Sequence, residues 1–283
     1  MKFSGIEKHC FVCVDTSRCK IFWIDEAGEV VREIRGAVGC FDLFVLPDGR
    51  LLYAHFGEGA PSDGFSILNS DGSSAMCYRT EKEIFSCQPL PNGNILLGEL
   101  GSRRIVEVSP AGEVVLEIPV PYEGNPHECF RAVRKIGEVY YAVQPGLNLI
   151  RKFTADGTVE REYAIRPDAF GLVMRPNGNL VYTCMSGAYE LDSNGNEVWS
   201  LTDADVPEMG IRWLLGVQLL SNGNLVFTNW MGHGHTDEGI HFFEVNREKQ
   251  VVWSCDARGT LREPAVLQIL DEDAATVCYR PMK

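Results

Sequence analysis

The run Asn229-Trp230-Met231-Gly232-His233-Gly234-His235 holds the densest set of chemistry-bearing side chains in the sequence. Imidazoles exchange protons near neutral pH and also ligate metals. Two of them two residues apart meet one ion only if the loop curls and a third ligand comes from elsewhere. His233, together with His55, is therefore a candidate for proton transfer. Trp230 and Trp213 could present an aromatic platform to a sugar or a flat ligand, or could pack between strands. Asp15, Glu99 and Asn229 supply the oxygen atoms that a calcium or magnesium ion requires. The same groups could instead bond backbone at strand ends. Arg131, close after His127, could pair in a bidentate way with an anionic ligand or with a neighbouring acid. Gln144, Arg212 and His235 complete the candidate ligand contacts.

These residues are placed by a repeat. Turn glycines recur in similar phrases at Gly49, Gly93, Gly137, Gly178 and Gly223, as in LPNGNILLGEL and LSNGNLVFTNW. A second series interleaves at Gly28, Gly72, Gly112, Gly157 and Gly195, with Arg247-Glu248-Lys249-Gln250 in the sixth place. Asn-Gly and Asp-Gly favour the positive φ angles of tight hairpins. The apolar runs between turns are short and rich in Val, Ile, Leu, Phe and Tyr, so they read as strands. Four strands in about 40–50 residues make a propeller blade. Five complete units start near residues 40, 85, 129, 169 and 213. The N-terminus supplies three more strands, Cys10–Val14, Lys20–Ile24 and Glu29–Ile34. Pro264–Leu270 resembles the first strand of the other units, so it is expected to complete that blade. The expected fold is an all-β, six-bladed β-propeller of four-stranded antiparallel blades, one domain over 1–283. Ala274–Tyr279 also reads as a strand and has no position left in this scheme.

The meander puts the loops after each second strand and the links between blades on one face. Aligning the repeats places Asp15, His55, Glu99, Val143, Cys184 and Asn229 at the end of successive second strands. Function tends to sit on loops that a rigid scaffold carries. That face, at the mouth of a central channel, is where a site is expected.

Charge and composition exclude some partners. The chain carries 39 acidic against 26 basic residues, a formal net charge of −13. A nucleic acid or an anionic membrane would need a positive face. No apolar stretch approaches the length of a membrane span. Ten cysteines are dispersed without paired spacing, as small buried hydrophobes of a reducing compartment are. Cys10 and Cys13 form one C-x-x-C, but on a strand they point to opposite faces. The start of the chain shows no signal peptide, so a cytoplasmic location is expected, unless an export signal has been removed.

The phrases at 90–118 and 220–254 resemble the repeats of quinoprotein-like β-propellers, the group with pyrroloquinoline-quinone-like and arylsulfotransferase-like members. Small single-domain bacterial members labelled quinoprotein alcohol dehydrogenase-like look most similar. Their NWxGHG run matches Asn229–Gly234, and their H-x-x-F-R run matches His127–Arg131. The resemblance implies a propeller and does not carry the quinone over. Quinone-dependent dehydrogenases resemble eight-bladed rings with two adjacent cysteines above the cofactor, and no cysteines are adjacent here. Arylsulfotransferase-like members use a channel histidine, for which His55, His127 and His233 are candidates by position. Lactonase-like propellers hold a channel metal on Glu, Asn and Asp, parts that Asp15, Glu99 and Asn229 could play.

Three functions follow as expectations. The first is a binding module for a small polar molecule, a carbohydrate or a peptide. The second is a divalent-metal-assisted hydrolase or transferase at the same mouth, with His55 or His233 moving protons. The third is a protein-interaction scaffold.

Overall fold

The computed structural model describes residues 1–57, 63–80, 83–235 and 238–270. In chain order, β1 (Lys2–Gly5) precedes the first blade's β2 (Phe11–Asp15), β3 (Lys20–Ile24) and β4 (Val30–Arg35). Blade two is β5 (Leu43–Val45), β6 (Leu51–His55), β7 (Asp63–Leu68) and β8 (Ser74–Thr80). Blade three is β9 (Ile84–Pro89), β10 (Ile95–Glu99), β11 (Arg104–Val108) and β12 (Val114–Pro119). Blade four is β13 (Val133–Ile136), β14 (Val139–Gln144), β15 (Leu149–Phe153) and β16 (Val159–Ala164). Blade five is β17 (Leu172–Met174), β18 (Leu180–Cys184), β19 (Gly187–Leu191) and β20 (Glu197–Leu201). Blade six is β21 (Leu214–Leu219), β22 (Leu225–Asn229), β23 (Phe242–Val245) and β24 (Val251–Asp256). Finally β25 (Pro264–Ile269) pairs antiparallel with β2 and completes blade one in the order β25-β2-β3-β4. The fold is thus an all-β propeller of six four-stranded blades. Among the described residues helix is limited to three single turns, Pro126–Glu128, Pro145–Leu147 and Pro207–Met209. Among the described residues no helix is long and apolar enough to cross a membrane.

The turns explain the repeat. In NGN copies the residue before the turn exchanges two backbone bonds across it, as in Leu220 N to Asn224 O at 2.9 Å and Gly223 N to Leu220 O at 3.0 Å. This closure needs a left-handed fourth residue, and Gly223 has φ 89°. In the sixth copy of the second series that place falls to Lys249, with φ 65°. In the first turn series, at Asn92, Asn177 and Asn222, the first Asn of NGN takes the N–H two residues on, Asn222 Oδ1 from Asn224 at 2.9 Å. The second Asn donates to a buried glutamate on the third strand: Asn94 to Glu107, Asn179 to Glu190 and Asn224 to Glu244. A cationic or imidazole group of the next blade completes each carboxylate: Lys135 on Glu107, Arg247 on Glu190 and His9 on Glu244. A buried carboxylate is tolerable because it is paired this way.

By compactness the described residues form two units. Unit one is Met1–Arg35 with the described chain 170–270, and holds blades five, six and one. Its cores include Phe11, Phe22, Phe242 and Trp253 around one cluster, and Val181, Leu214, Phe227 and Phe243 around another. Unit two is Gly36–Ala169 and holds blades two, three and four. Phe44, Phe65, Ile84, Ile95 and Val106 are part of its core.

The second strands end as the repeat predicts at Asp15, His55, Glu99, Cys184 and Asn229. In blade four the strand runs one residue further, to Gln144. The N-terminal strand β1 was not legible. It adds a fifth strand to blade six, pairing Phe3 with Cys255 on β24. Gly5 is required there, because a Cβ would stand 2.1 Å from the Val252 carbonyl oxygen. The expected strand Ala274–Tyr279 lies outside the described residues.

Candidate functional site

In unit one the 229–240 loop gathers the candidates. Gly232 and Gly234 both have positive φ, 88° and 80°, and His235 N reaches back to Gly232 O at 3.3 Å. This tight turn projects the two histidines onto separate carboxylates. His233 Nδ1 meets Glu263 Oε2 at 2.8 Å, and Gly234 N donates to Glu263 Oε1 at 3.3 Å. The His233 side chain is 80% exposed and that of Glu263 only 10%. The carboxylate therefore fixes the ring by one nitrogen and leaves Nε2 to solvent. Trp230 stands edge-on to His233 at 5.0 Å between centroids, and Trp213 edge-on to Trp230 at 5.6 Å. His235 Nδ1 and Arg212 Nη1 both reach Glu238, each at 3.0 Å. These contacts hold the Glu238 carboxyl below its usual value, His235 first, then Arg212.

Two buried side chains set this loop in place. Asn229 Oδ1 accepts from the backbone of Arg212 at 2.9 Å and of Trp213 at 3.4 Å. Its Nδ2 faces the carbonyls of Met209, Gly210 and Ile240 at 3.4, 3.0 and 3.0 Å. Asp15 does the same for blade one. Its carboxylate accepts from Arg262 N at 2.8 Å, Glu263 N at 3.3 Å, Ser17 Oγ at 2.9 Å and Arg18 N at 3.2 Å. Asp15 thereby positions the backbone of the glutamate that holds His233.

Unit two contains a second cluster. His127 Nδ1 meets Glu83 Oε2 at 2.8 Å, with His127 47% and Glu83 42% exposed at their side chains. Phe85 lies edge-on to His127 at 5.1 Å and packs with Phe56 at 4.8 Å and Phe41 at 5.2 Å. The Arg131 guanidinium lies 4.4 Å over Phe85, and its Nη1 donates to His127 O. Burial pushes Arg131 down to about 10, with Glu128 the strongest opposing charge.

The remaining candidates are inside their blades. His55 is buried with Nε2 3.0 Å from Ser66 Oγ. Glu99 is buried, taking Arg104 Nε at 2.5 Å and the Tyr78 hydroxyl at 2.9 Å. Burial and that carboxylate raise Tyr78 to about 12. Gln144 is buried at the end of β14, and its amide has no hydrogen-bond partner among the described residues. To hold a cation, Asp15, Glu99 and Asn229 would each have to surrender the bonds just described. Among the described residues no three His, Cys, Asp or Glu side chains group as a metal site.

Sequence reasoning missed Glu263, Glu238, Glu83 and Phe85. A signal existed for two of them. Glu263 and Glu83 each directly precede a blade's first strand, in EPAVLQI and EIFSCQP. In both, the glutamate carbonyl receives the N–H just beyond the second strand, from Thr16 at 3.0 Å and Leu100 at 2.9 Å.

No family model matches the chain, and no curated protein matches it. Solved structures share its fold. A protein of unknown function from Bacteroides caccae is 20% identical with a TM-score of 0.82, over 94% of this chain and 100% of that one. A streptogramin B lyase is 15% identical with a TM-score of 0.63, over 89% and 81%. A catalytically inactive histidine-to-alanine variant of virginiamycin B lyase from Staphylococcus aureus, with quinupristin, is 13% identical with a TM-score of 0.65, over 95% and 96%. At these identities the likeness is one of fold alone. The quinoprotein resemblance finds no counterpart in these comparisons.

Proposed function

We propose that this propeller is a binding module whose ligand, a small polar molecule, a sugar or a peptide, seats against Trp213 and Trp230 in unit one. One observation carries this reading. Two half-buried tryptophans stand beside an arginine and two histidines whose carboxylate partners fix their orientation. Indole rings offer a large contact area at little cost in conformational entropy, and the charged groups set direction. Fluorotryptophan NMR tests it, since the chain has five tryptophans. A fragment screen should shift the Trp213 and Trp230 resonances selectively. Hits that move only Trp23, Trp199 or Trp253, or none, would place binding elsewhere.

A second reading, acid–base catalysis at His233, has its own support. A buried carboxylate on Nδ1 orients an imidazole whose Nε2 faces outward, the arrangement that proton transfer requires. The shared fold of a lyase inactivated at a histidine is consistent with it. This reading needs no cation. Ester hydrolysis lowered at least tenfold by both His233→Ala and Glu263→Gln would support it. Rates equal to the unmutated chain's in both variants would sink it.

A further inference from the structure

We propose that Arg212 and His235 form a receptor for a carboxylate, and that Glu238 is the chain's own stand-in for the carboxylate of a ligand with a flat ring. This rests on the Trp213–Trp230 site and names the class of ligand that it takes.

His235 Nδ1 lies 3.4 Å from Arg212 Nη1 and 3.0 Å from Glu238 Oε1. One nitrogen cannot accept from the guanidinium and donate to the carboxylate together. The shorter contact selects donation, so both groups aim N–H bonds at one carboxylate, Arg212 through Oε2 and His235 through Oε1. The receptor is built into the backbone. Asn229 fixes Arg212 N, and Gly232, at φ 88°, makes the turn that brings His235 round beside the guanidinium.

Energetics distinguish Glu238 from Glu263. The three side chains of the Arg212–His235–Glu238 group are 44%, 43% and 58% exposed. Exposed ion pairs contribute little because water screens them, so a ligand carboxylate can replace Glu238 at little cost. Glu263 is largely buried under His233 and stays. Trp213 adjoins Arg212, and Trp230 opens the loop that carries His235, so a ligand held by its carboxylate can lay a ring on the indoles. One guanidinium and one imidazole suit a monoanion. The nearby Glu263 and a chain charge of −13 count against a dianion.

The test compares phenylacetate with its neutral counterpart phenylacetamide by calorimetry and fluorotryptophan NMR. Phenylacetate should bind and shift the Trp213 and Trp230 lines, with phenylacetamide at least tenfold weaker. Removing the stand-in by Glu238→Ala should tighten phenylacetate about threefold, and Arg212→Met should weaken it about tenfold. Both positions are exposed, so melting temperatures should hold. Equal binding of the two probes, or unchanged or weaker phenylacetate binding in Glu238→Ala, would overturn the carboxylate receptor while leaving the ring site. Failure of both probes to touch either tryptophan in either protein would overturn the ring site itself.

Discussion

The His233–Glu263 and His127–Glu83 pairs have the same contact distance and different distributions of burial. Each joins Nδ1 to a carboxylate oxygen at 2.8 Å, and each histidine stands edge-on to an aromatic ring, at 5.0 and 5.1 Å. Both glutamates hold the same station, just before the first strand of a blade. The histidines do not. His233 comes from a loop between the second and third strands of blade six, His127 from the link into blade four. In unit two the acid and the imidazole are about equally exposed, and the buried member is Phe85. In unit one the acid is buried and the imidazole is free to meet solvent. The first arrangement fastens chain to chain. The second fixes one end of a group whose other end is available to a ligand.

Exchanging the rings tests this contrast most severely. Phe85 is 4% exposed within three rings and a guanidinium, so Phe85→Ala should cost about 3–5 kcal/mol. Trp230 is only half buried, and Trp230→Ala should cost about 1–2 kcal/mol while abolishing ligand binding. Thermal melts and calorimetry read both. Comparable losses of stability in the two variants would erase the distinction between fastening and binding.

Asn229 gives the next test, because its role differs between the two readings of that residue. As a backbone cap, its Nδ2 hydrogens face three carbonyls. Asn229→Asp would set a buried carboxylate oxygen against them, with an expected loss of roughly 3 kcal/mol. As a cation ligand, the added charge would instead strengthen metal binding. Melting with and without calcium or magnesium decides. Stability kept by the variant and raised by the ion would support the metal reading.

What the sequence made legible follows from periodicity. A turn glycine every 41 to 45 residues implies the four-stranded unit, and β25 closes blade one where Pro264–Leu270 was read as a first strand. Register also put Asp15, His55, Glu99 and Asn229 at matching strand ends. It could not say what those ends do, because a polar residue there can cap its own blade or face a ligand. Asp15's bonds to Arg262 and Glu263 join the two ends of the chain, and Asn229's reach 11 to 20 residues away, so no local pattern announces them. β1 escaped because four residues, KFSG, have no repeat partner. The acids that orient His233 and His235 escaped because only the folded loop brings them together.

The smallest effect comes from the carboxylates themselves. Glu263→Gln leaves a buried amide on His233 and should cost about 1 kcal/mol, whereas Glu83→Gln, at a half-exposed pair, should change stability by less than about 0.5 kcal/mol. The difference should widen with salt. Screening weakens the exposed pair first, so Glu83→Gln should become neutral at high ionic strength while Glu263→Gln keeps its penalty. Asp15 offers the control, since it holds the Glu263 backbone and has no such hold on Glu83. Asp15→Asn should therefore loosen His233, seen as faster hydrogen exchange at Gly234 N, and leave exchange at Leu100 N unchanged. Equal protection at Gly234 in both proteins would mean that Glu263 is held by its strand alone, and that the two glutamate stations differ only in which histidine reaches them.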